Sequence, residues 1–272
     1  MINKFQVKPV NGHQVVLESG KNDSWLGLEI LRLSPGERWE SHSKDDEVAL
    51  VPFGGRFSVK ISGPQEAQWQ GVGSRPDIFS GSPFVVYVPR SSQYTVTAET
   101  KLELALAKAP CNADRAPTLV KPEEVKVVSS GVANWRRDVR LVIAPGSPIS
   151  QRLIIGETLN PPGNWSGVPP HKHDEITGVE NILEEFYLFK VKPASGYGVQ
   201  LGYKDGKEES YILHNDDVYL MENGYHPTVA APGTTLCYFW VLSGDDKAYN
   251  ITIDPLFEWV GNAEAVFKEL QR

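Results

Sequence analysis

The sequence predicts an all-β protein: two antiparallel β-barrels of jelly-roll type, followed by a short C-terminal helix. Three observations carry this. Short runs rich in Val, Tyr, Phe and Leu recur at 84–89, 103–107, 153–155, 185–191, 198–203, 218–221 and 236–242. Gly and Pro, 24 and 20 of the 272 residues, punctuate them as turn signals do between short strands. Second, the two halves of the chain can be overlaid in four blocks that keep their order. Val86 falls on Val218, Leu102 on Leu236, Leu31 on Thr158, and Glu47 on Glu185. A repeat of this length means two copies of one β unit. Third, Ala263, Val266, Phe267 and Leu270 share one helical face behind Asn262, a fitting N-cap, which predicts a helix over 262–270 docked on the second barrel.

The boundary falls in the Pro- and charge-rich stretch 111–122, giving an N-terminal barrel over 1–115 and a C-terminal barrel with the helix over 116–272. A hydrophobic fraction of 40% fills a core of that size. The net charge of −7 and the absence of a basic block argue against nucleic acid and against an anionic membrane surface as partners. No apolar run reaches signal-peptide or transmembrane length, so the expectation is a soluble, cytoplasmic protein. Cys111 and Cys237 make no disulfide framework, and Cys237 sits in an apolar strand pattern as a packed thiol.

Function is written in the second half. His171-Lys172-His173 is followed by Glu185 and by His226 in Gly-Tyr-His-Pro, so three of six histidines fall in one constellation. Residues i and i+2 of a strand point the same way, which projects His171 and His173 together. Imidazole nitrogens with a carboxylate oxygen suit one divalent metal, with Zn²⁺ the first choice and Mn²⁺, Fe²⁺ and Ni²⁺ behind it. The first half has no such set. Its counterpart of His226 is Tyr94, and before Glu47 it offers only His42. His13 and His214 show no partners and are taken as surface residues.

These residues resemble a two-barrel cupin, and more closely the 5-deoxy-glucuronate isomerase family of myo-inositol catabolism. The resemblance runs through Pro-Pro-His-Lys-His-Asp at 169–174, Leu-Glu-Glu-Phe-Tyr at 183–187, Gly-Tyr-Gly-Val-Gln at 196–200, Gly-Tyr-His-Pro at 224–227 and Tyr-Phe-Trp-Val-Leu-Ser-Gly at 238–244. The related 4-deoxy-5-ketouronate isomerases share the metal set. The resemblance implies His171, His173, Glu185 and His226 as ligands, and conversion of an aldehyde sugar acid to its 2-keto isomer. The family's usual Val-Pro-Arg before Gly-Tyr-His-Pro is here replaced by residues around Met221-Glu222-Asn223.

Such an isomerisation moves a proton between adjacent carbons, by an enediol route or a hydride shift, and a positioned base must serve the first. Tyr187, Lys172 and Tyr203 are the foremost expectations for that role, with Asp174, Gln200 and Tyr225 also near the ligands. The substrate carboxylate needs a cation, for which Lys172, the metal and Arg152 are the sources in view. An Fe²⁺ dioxygenase and a non-catalytic sugar-acid binding protein are the other classes this sequence allows. Self-association is expected by fold analogy alone.

Overall fold

The structure, a computed structural model, describes residues 2–21 and 24–270. The chain is mostly β, and its strands form two pairs of sheets that keep one order in each half, with a two-stranded sheet of His171–Lys172 and Thr252–Ile253 beside them. In the first half a six-stranded sheet runs Thr118–Val120, Val85–Val88, Asp46–Gly54, Leu102–Pro110, Gly27–Leu33, Gly12–Leu17. In the second a seven-stranded sheet runs Ile2–Gln6, Asp217–Met221, Glu184–Lys192, Thr235–Ser243, Ile154–Asn160, Arg137–Ile143, Lys126–Ser130. Each large sheet is faced by a four-stranded one: Arg38–His42, Gln93–Ala98, Phe57–Ser62, Ala67–Val72 against Trp165–Ser166, Thr228–Ala230, Gly198–Lys204, Lys207–Leu213. The sheets are open in their hydrogen bonding among the described residues.

Three apolar cores follow from this layering. One lies inside the first half, between its two sheets, and includes Leu31, Leu50, Phe57, Tyr94 and Leu104. One lies inside the second half, with Tyr187, Phe189, Tyr219 and Tyr238. The third lies where the two large sheets pack back to back, with Ala49, Phe53, Phe186, Leu188 and Phe239. The central strands are therefore covered on both faces, which is why Glu184–Lys192 and Thr235–Ser243 read as unbroken apolar runs.

The halves also exchange their ends. Ile2–Gln6 pairs antiparallel with Asp217–Met221, and Thr118–Val120, past the expected boundary at 115, pairs with Val85–Val88. A division at 115/116 leaves each half's edge strand in the other piece.

The four-block overlay needs one correction. Leu50 pairs with Val86, and Tyr187 with Tyr219; Ala107 pairs with Ala49, and Val241 with Phe186. Ala49 and Phe186 face the shared core, whereas Leu50 and Tyr187 face inward. The matching register therefore puts Glu47 on Glu184, Val48 on Glu185 and Val86 on Tyr219, one residue away from the sequence overlay in both strands. A one-residue slip flips every side chain to the other face, and a strand buried on both faces has no alternation to reveal it.

In the corrected register Glu47 and Glu184 play reciprocal parts. Glu47, fully buried, accepts from the backbone N–H groups of Gln151, Arg152 and Leu153 at 2.7–2.8 Å, and from the Tyr87 hydroxyl. Glu184 accepts from the N–H groups of Trp25 and Leu26, at 2.7 and 3.1 Å, and from the Ser24 hydroxyl. Each half holds the segment entering the other half's matching strand. Arg75 of the first half adds a buried ion pair to Glu157, which Arg140 also meets.

The C-terminal helix begins at Trp259, three residues before the expected N-cap Asn262. Its predicted docking face is also corrected. Val266, Phe267 and Leu270 are 59, 42 and 81% exposed, and Val260 is the buried residue of this helix. Phe267 meets the Trp135 ring edge-on, at 6.0 Å. The 3.6-residue period marked an apolar stripe correctly, but a stripe does not say whether the chain covers it.

Candidate metal centre

Glu185 lies inward on the strand Glu184–Lys192, one position from Glu184, which points to the other half. His226 follows Gly224 in the turn before Thr228–Ala230. Gly224 has φ +89°, and a Cβ there would come within 2.8 Å of the Tyr203 carbonyl, so the turn requires glycine. His173 directly follows the short strand His171–Lys172, which pairs with Thr252–Ile253. Asp174 ties the two histidine-bearing segments together. It accepts from the Gly224 N–H at 2.6 Å, from Lys204 at 3.0 Å and from Lys172 at 2.9 Å. Burial alone would raise its carboxyl, but these donors outweigh burial and hold it down at about 2.

His173, Glu185 and His226 are all buried, and their ligand atoms lie within 4.8 Å of one another. Glu185 Oε2 is 3.2 Å from Nε2 of His173 and 3.2 Å from Nε2 of His226. The far side of each ring is fixed by backbone. His173 Nδ1 lies 2.6 Å from the Leu183 carbonyl and His226 Nδ1 lies 2.9 Å from the Gly224 carbonyl. A carbonyl accepts only, so each Nδ1 carries a hydrogen, and a neutral ring then presents a lone pair at Nε2. Two lone pairs and a carboxylate converging in a buried space call for positive charge between them. His226 Nε2 is buried without a hydrogen-bond partner. This donor set fits a divalent metal, and orientation of ligand imidazoles by backbone carbonyls is the usual support of such sites.

Burial raises the Glu185 carboxyl, but the adjacent imidazoles of His173 and His226 prevail and hold it at about 2. Burial would depress His173, and Glu185 more than offsets it. His171 stands beside the group, its ring 5.3 Å from that of His226 and 6.5 Å from that of His173. Its Nδ1 is 3.2 Å from the Pro169 carbonyl and its Nε2 is 3.1 Å from the Tyr249 hydroxyl. Burial, then the neighbouring His226 and His173, push His171 down to about 3, which keeps the ring neutral.

Glu185 and His171 open on a cavity of about 210 Å³, whose wall also includes Arg137, Tyr187, Tyr238 and Tyr249. That volume lies below the range of about 300–1,000 Å³ typical of drug-sized ligands, and suits a small molecule. Burial, then the Glu185 charge, raises the Tyr187 phenol well above the usual range; Tyr249 is 41% exposed with its hydroxyl beside His171 Nε2, and both phenols are hydrogen-bond donors at neutral pH.

The structure brings Tyr187 into this wall, as the sequence leads one to expect, but not Lys172 or Tyr203. Lys172 follows His171 on the strand and points the opposite way. Its ammonium is gripped by Asp174 and by both oxygens of Glu180 at 3.0 Å. Tyr203 donates to Asp254 at 2.7 Å and stacks on Tyr225, ring centroids 5.1 Å apart. Gln200 donates to the carbonyls of His226 and Pro227 and so holds the histidine turn from behind. Arg152 pairs with Asp245 and lies over Trp25. Glu222 is exposed and accepts from Asn3, so its charge does not line the cavity. Tyr249 and Arg137 were missed in the sequence. Neither carries a motif, and only the crossing of distant segments brings them to the site. His13, expected at the surface without a partner, lies 2.7 Å from Glu29.

A mostly β fold of paired antiparallel sheets, with a buried His/Glu group opening on a small cavity, defines a β-sheet protein with a candidate metal centre. The chain belongs to the KduI/IolB family, whose model matches residues 3–260. It is 33% identical to a 5-deoxy-glucuronate isomerase of Geobacillus kaustophilus over 91% of this chain and 90% of that one. It is 27% identical to a 5-deoxy-glucuronate isomerase of Bacillus subtilis, over 92% and 94%. Its structure is similar to the crystal structure of an IolB-like protein from Salmonella typhimurium, with a TM-score of 0.89, 29% identity, and 95% and 98% of the two chains covered. An oxalate decarboxylase of Lactobacillus farciminis reaches a TM-score of 0.66 at 10% identity over 98% and 91% of the chains, a likeness of fold alone.

Proposed function

We propose that this protein is a metal-dependent aldose–ketose isomerase of a sugar acid, converting 5-deoxy-glucuronate to 5-dehydro-2-deoxy-gluconate in inositol catabolism. The observation that carries the reading is the buried convergence of His173, Glu185 and His226 on one another, with Glu185 opening on a small cavity, in a chain that matches relatives named for this activity over about nine-tenths of its length. His171, whose Nε2 here meets the Tyr249 hydroxyl, would complete the proposed ligand set. Zn²⁺ is the first metal to test, then Mn²⁺, Fe²⁺ and Ni²⁺. We read the architecture as a bicupin, with halves 1–115 and 116–272 that trade edge strands, working in the cytoplasm.

When bound, a divalent cation supplies Lewis acidity that stabilises negative charge on substrate oxygen as the carbon-bound proton moves. The chain's own residues do the rest. Glu185 and the histidines fix the centre, and the apolar wall of Leu141, Ile154 and Trp240 limits water. The hydroxyls of Tyr187 and Tyr249 hold their protons and donate them towards substrate oxygens. The test is elemental analysis of the purified protein, followed by anaerobic incubation with 5-deoxy-glucuronate under proton NMR. Loss of the aldehyde signal with growth of the ketone product supports the isomerase. Turnover that requires oxygen would mean a dioxygenase, and binding without turnover would mean a binding protein.

A further inference from the structure

A sugar acid brings a carboxylate as well as a carbonyl, and the cations expected to receive it are engaged elsewhere. Lys172 is closed in by Asp174 and Glu180, Lys204 by Asp174 and Glu175, and Arg152 by Asp245. Arg75 and Arg140 are locked on Glu157. Arg137, at the start of the strand Arg137–Ile143, differs. Among the described residues it is the one Lys or Arg in the wall of the cavity that holds Glu185 and His171. Its Nη1 donates to the carbonyls of Trp135 and Val168, each at 3.1 Å. Val168 lies in the segment leading to His171, so the guanidinium is anchored to the backbone that carries the centre. Among the described residues it makes no ion pair, and its charge reaches the Glu264 carboxyl only as the least of several influences, behind Lys268.

We infer that Arg137 receives the carboxylate of the substrate and sets the preference of this site for a sugar acid over a neutral sugar. This rests on the sugar-acid reading above. A planar guanidinium with one nitrogen fixed by backbone is pre-organised for a carboxylate, and charge-assisted hydrogen bonds are about twice as strong as neutral ones. A hydrogen bond to a charged group contributes about 1.5–3 kcal/mol, so losing it weakens acid binding roughly ten- to hundredfold.

The experiment compares glucuronate with its uncharged amide, by calorimetry on the metallated protein, for the wild type, Arg137→Met and Arg137→Lys. The expected result is a wild-type preference for the acid. That preference is lost in Arg137→Met, with the amide's affinity unchanged within about threefold and metal content unchanged, and is kept in part by Arg137→Lys. In turnover of 5-deoxy-glucuronate the loss should appear in KM far more than in kcat. A wild type that binds acid and amide alike overturns the inference without any variant having to fold, and so does an Arg137→Met that keeps the preference. If the wild type turns over 5-deoxy-glucuronate while either of these holds, the arginine's role falls and the isomerase stands. If the wild type prefers the acid through Arg137 but turns over no sugar acid, the isomerase falls and the arginine's role stands.

Discussion

The two halves share a strand order and differ in what their interiors contain. In the second half the inward positions of two neighbouring segments carry Glu185 and His226. In the first they carry Val48 and Tyr94, both fully buried in an apolar core. The contrast extends along the next strand. Gly156 pairs with Trp240, and a Cβ there would sit 2.0 Å from the indole, so the ring lies over bare backbone. The matching position of the first half is Glu29, opposite Leu106, whose carboxylate joins His13 and Lys108. The same scaffold is thus a packed core beside an ion cluster in one copy, and a small cavity beside a buried His/Glu group in the other. The outward glutamates, Glu47 and Glu184, do the same work in both. A few inward positions decide whether the unit hosts chemistry, and the positions facing the partner half are free of that choice.

The largest expected effect tests the inward positions. His226→Ala or Glu185→Ala should lower metal content, and with it activity, by at least about a hundredfold, since even outer-shell changes cost ten- to hundredfold. Tyr94→Phe should leave both untouched. Loss of metal in Tyr94→Phe, read by elemental analysis, would break the comparison.

Next, Val48→Glu places the counterpart of Glu185 in an interior with no partner for it. Burying an unpaired carboxylate should cost about 3–5 kcal/mol in chemical denaturation. A variant that instead keeps wild-type stability and takes up a second metal would mean that the first half retains a latent site.

The glutamate pair gives a smaller effect. Glu47→Gln keeps the shape, but a neutral amide is a weaker acceptor for three backbone N–H groups, which should cost about 1–3 kcal/mol. Glu184→Gln, half-buried and accepting from two N–H groups and a hydroxyl, should cost less. The two should be close to additive if each clamp acts on its own. Strong coupling in the double variant would show that the halves dock as one unit.

The smallest effect concerns the two cysteines, one in each half. Burial, then the Glu47 charge, pushes the Cys111 thiol up to about 11. At pH 8 about one thiol in a thousand is then thiolate, and thiolate is the reactive form. Alkylation of Cys111 should speed up about tenfold per pH unit and level off above pH 11, with a modest gain in Glu47→Gln. Cys237, fully buried, should label only on unfolding. Fast labelling of Cys111 at pH 7 would contradict this.

The centre was legible in the sequence because His and Glu in strand contexts are chemically marked, and the Gly-Tyr-His-Pro turn announces its own geometry. Register was not, because apolar runs buried on both faces look alike in either phase. Lys172 could have been set aside from sequence, since it neighbours His171 on a strand and must face away. Tyr203 could not, because its partner Asp254 lies fifty-one residues on. The polar, alternating strands Phe57–Ser62 and Ala67–Val72 lacked the apolar runs by which the others were found.

The exchanged edge strands make the chain a knot of dependence in the sense of assembly. A piece ending at residue 115 would lack Thr118–Val120 and leave the Val85–Val88 edge bare. A piece starting at 116 would lack Ile2–Gln6 and leave the Asp217–Met221 edge bare. Each fragment holds the strand the other needs. Expressed apart they are exposed edges prone to stray pairing; expressed together they are complementary halves of one protein.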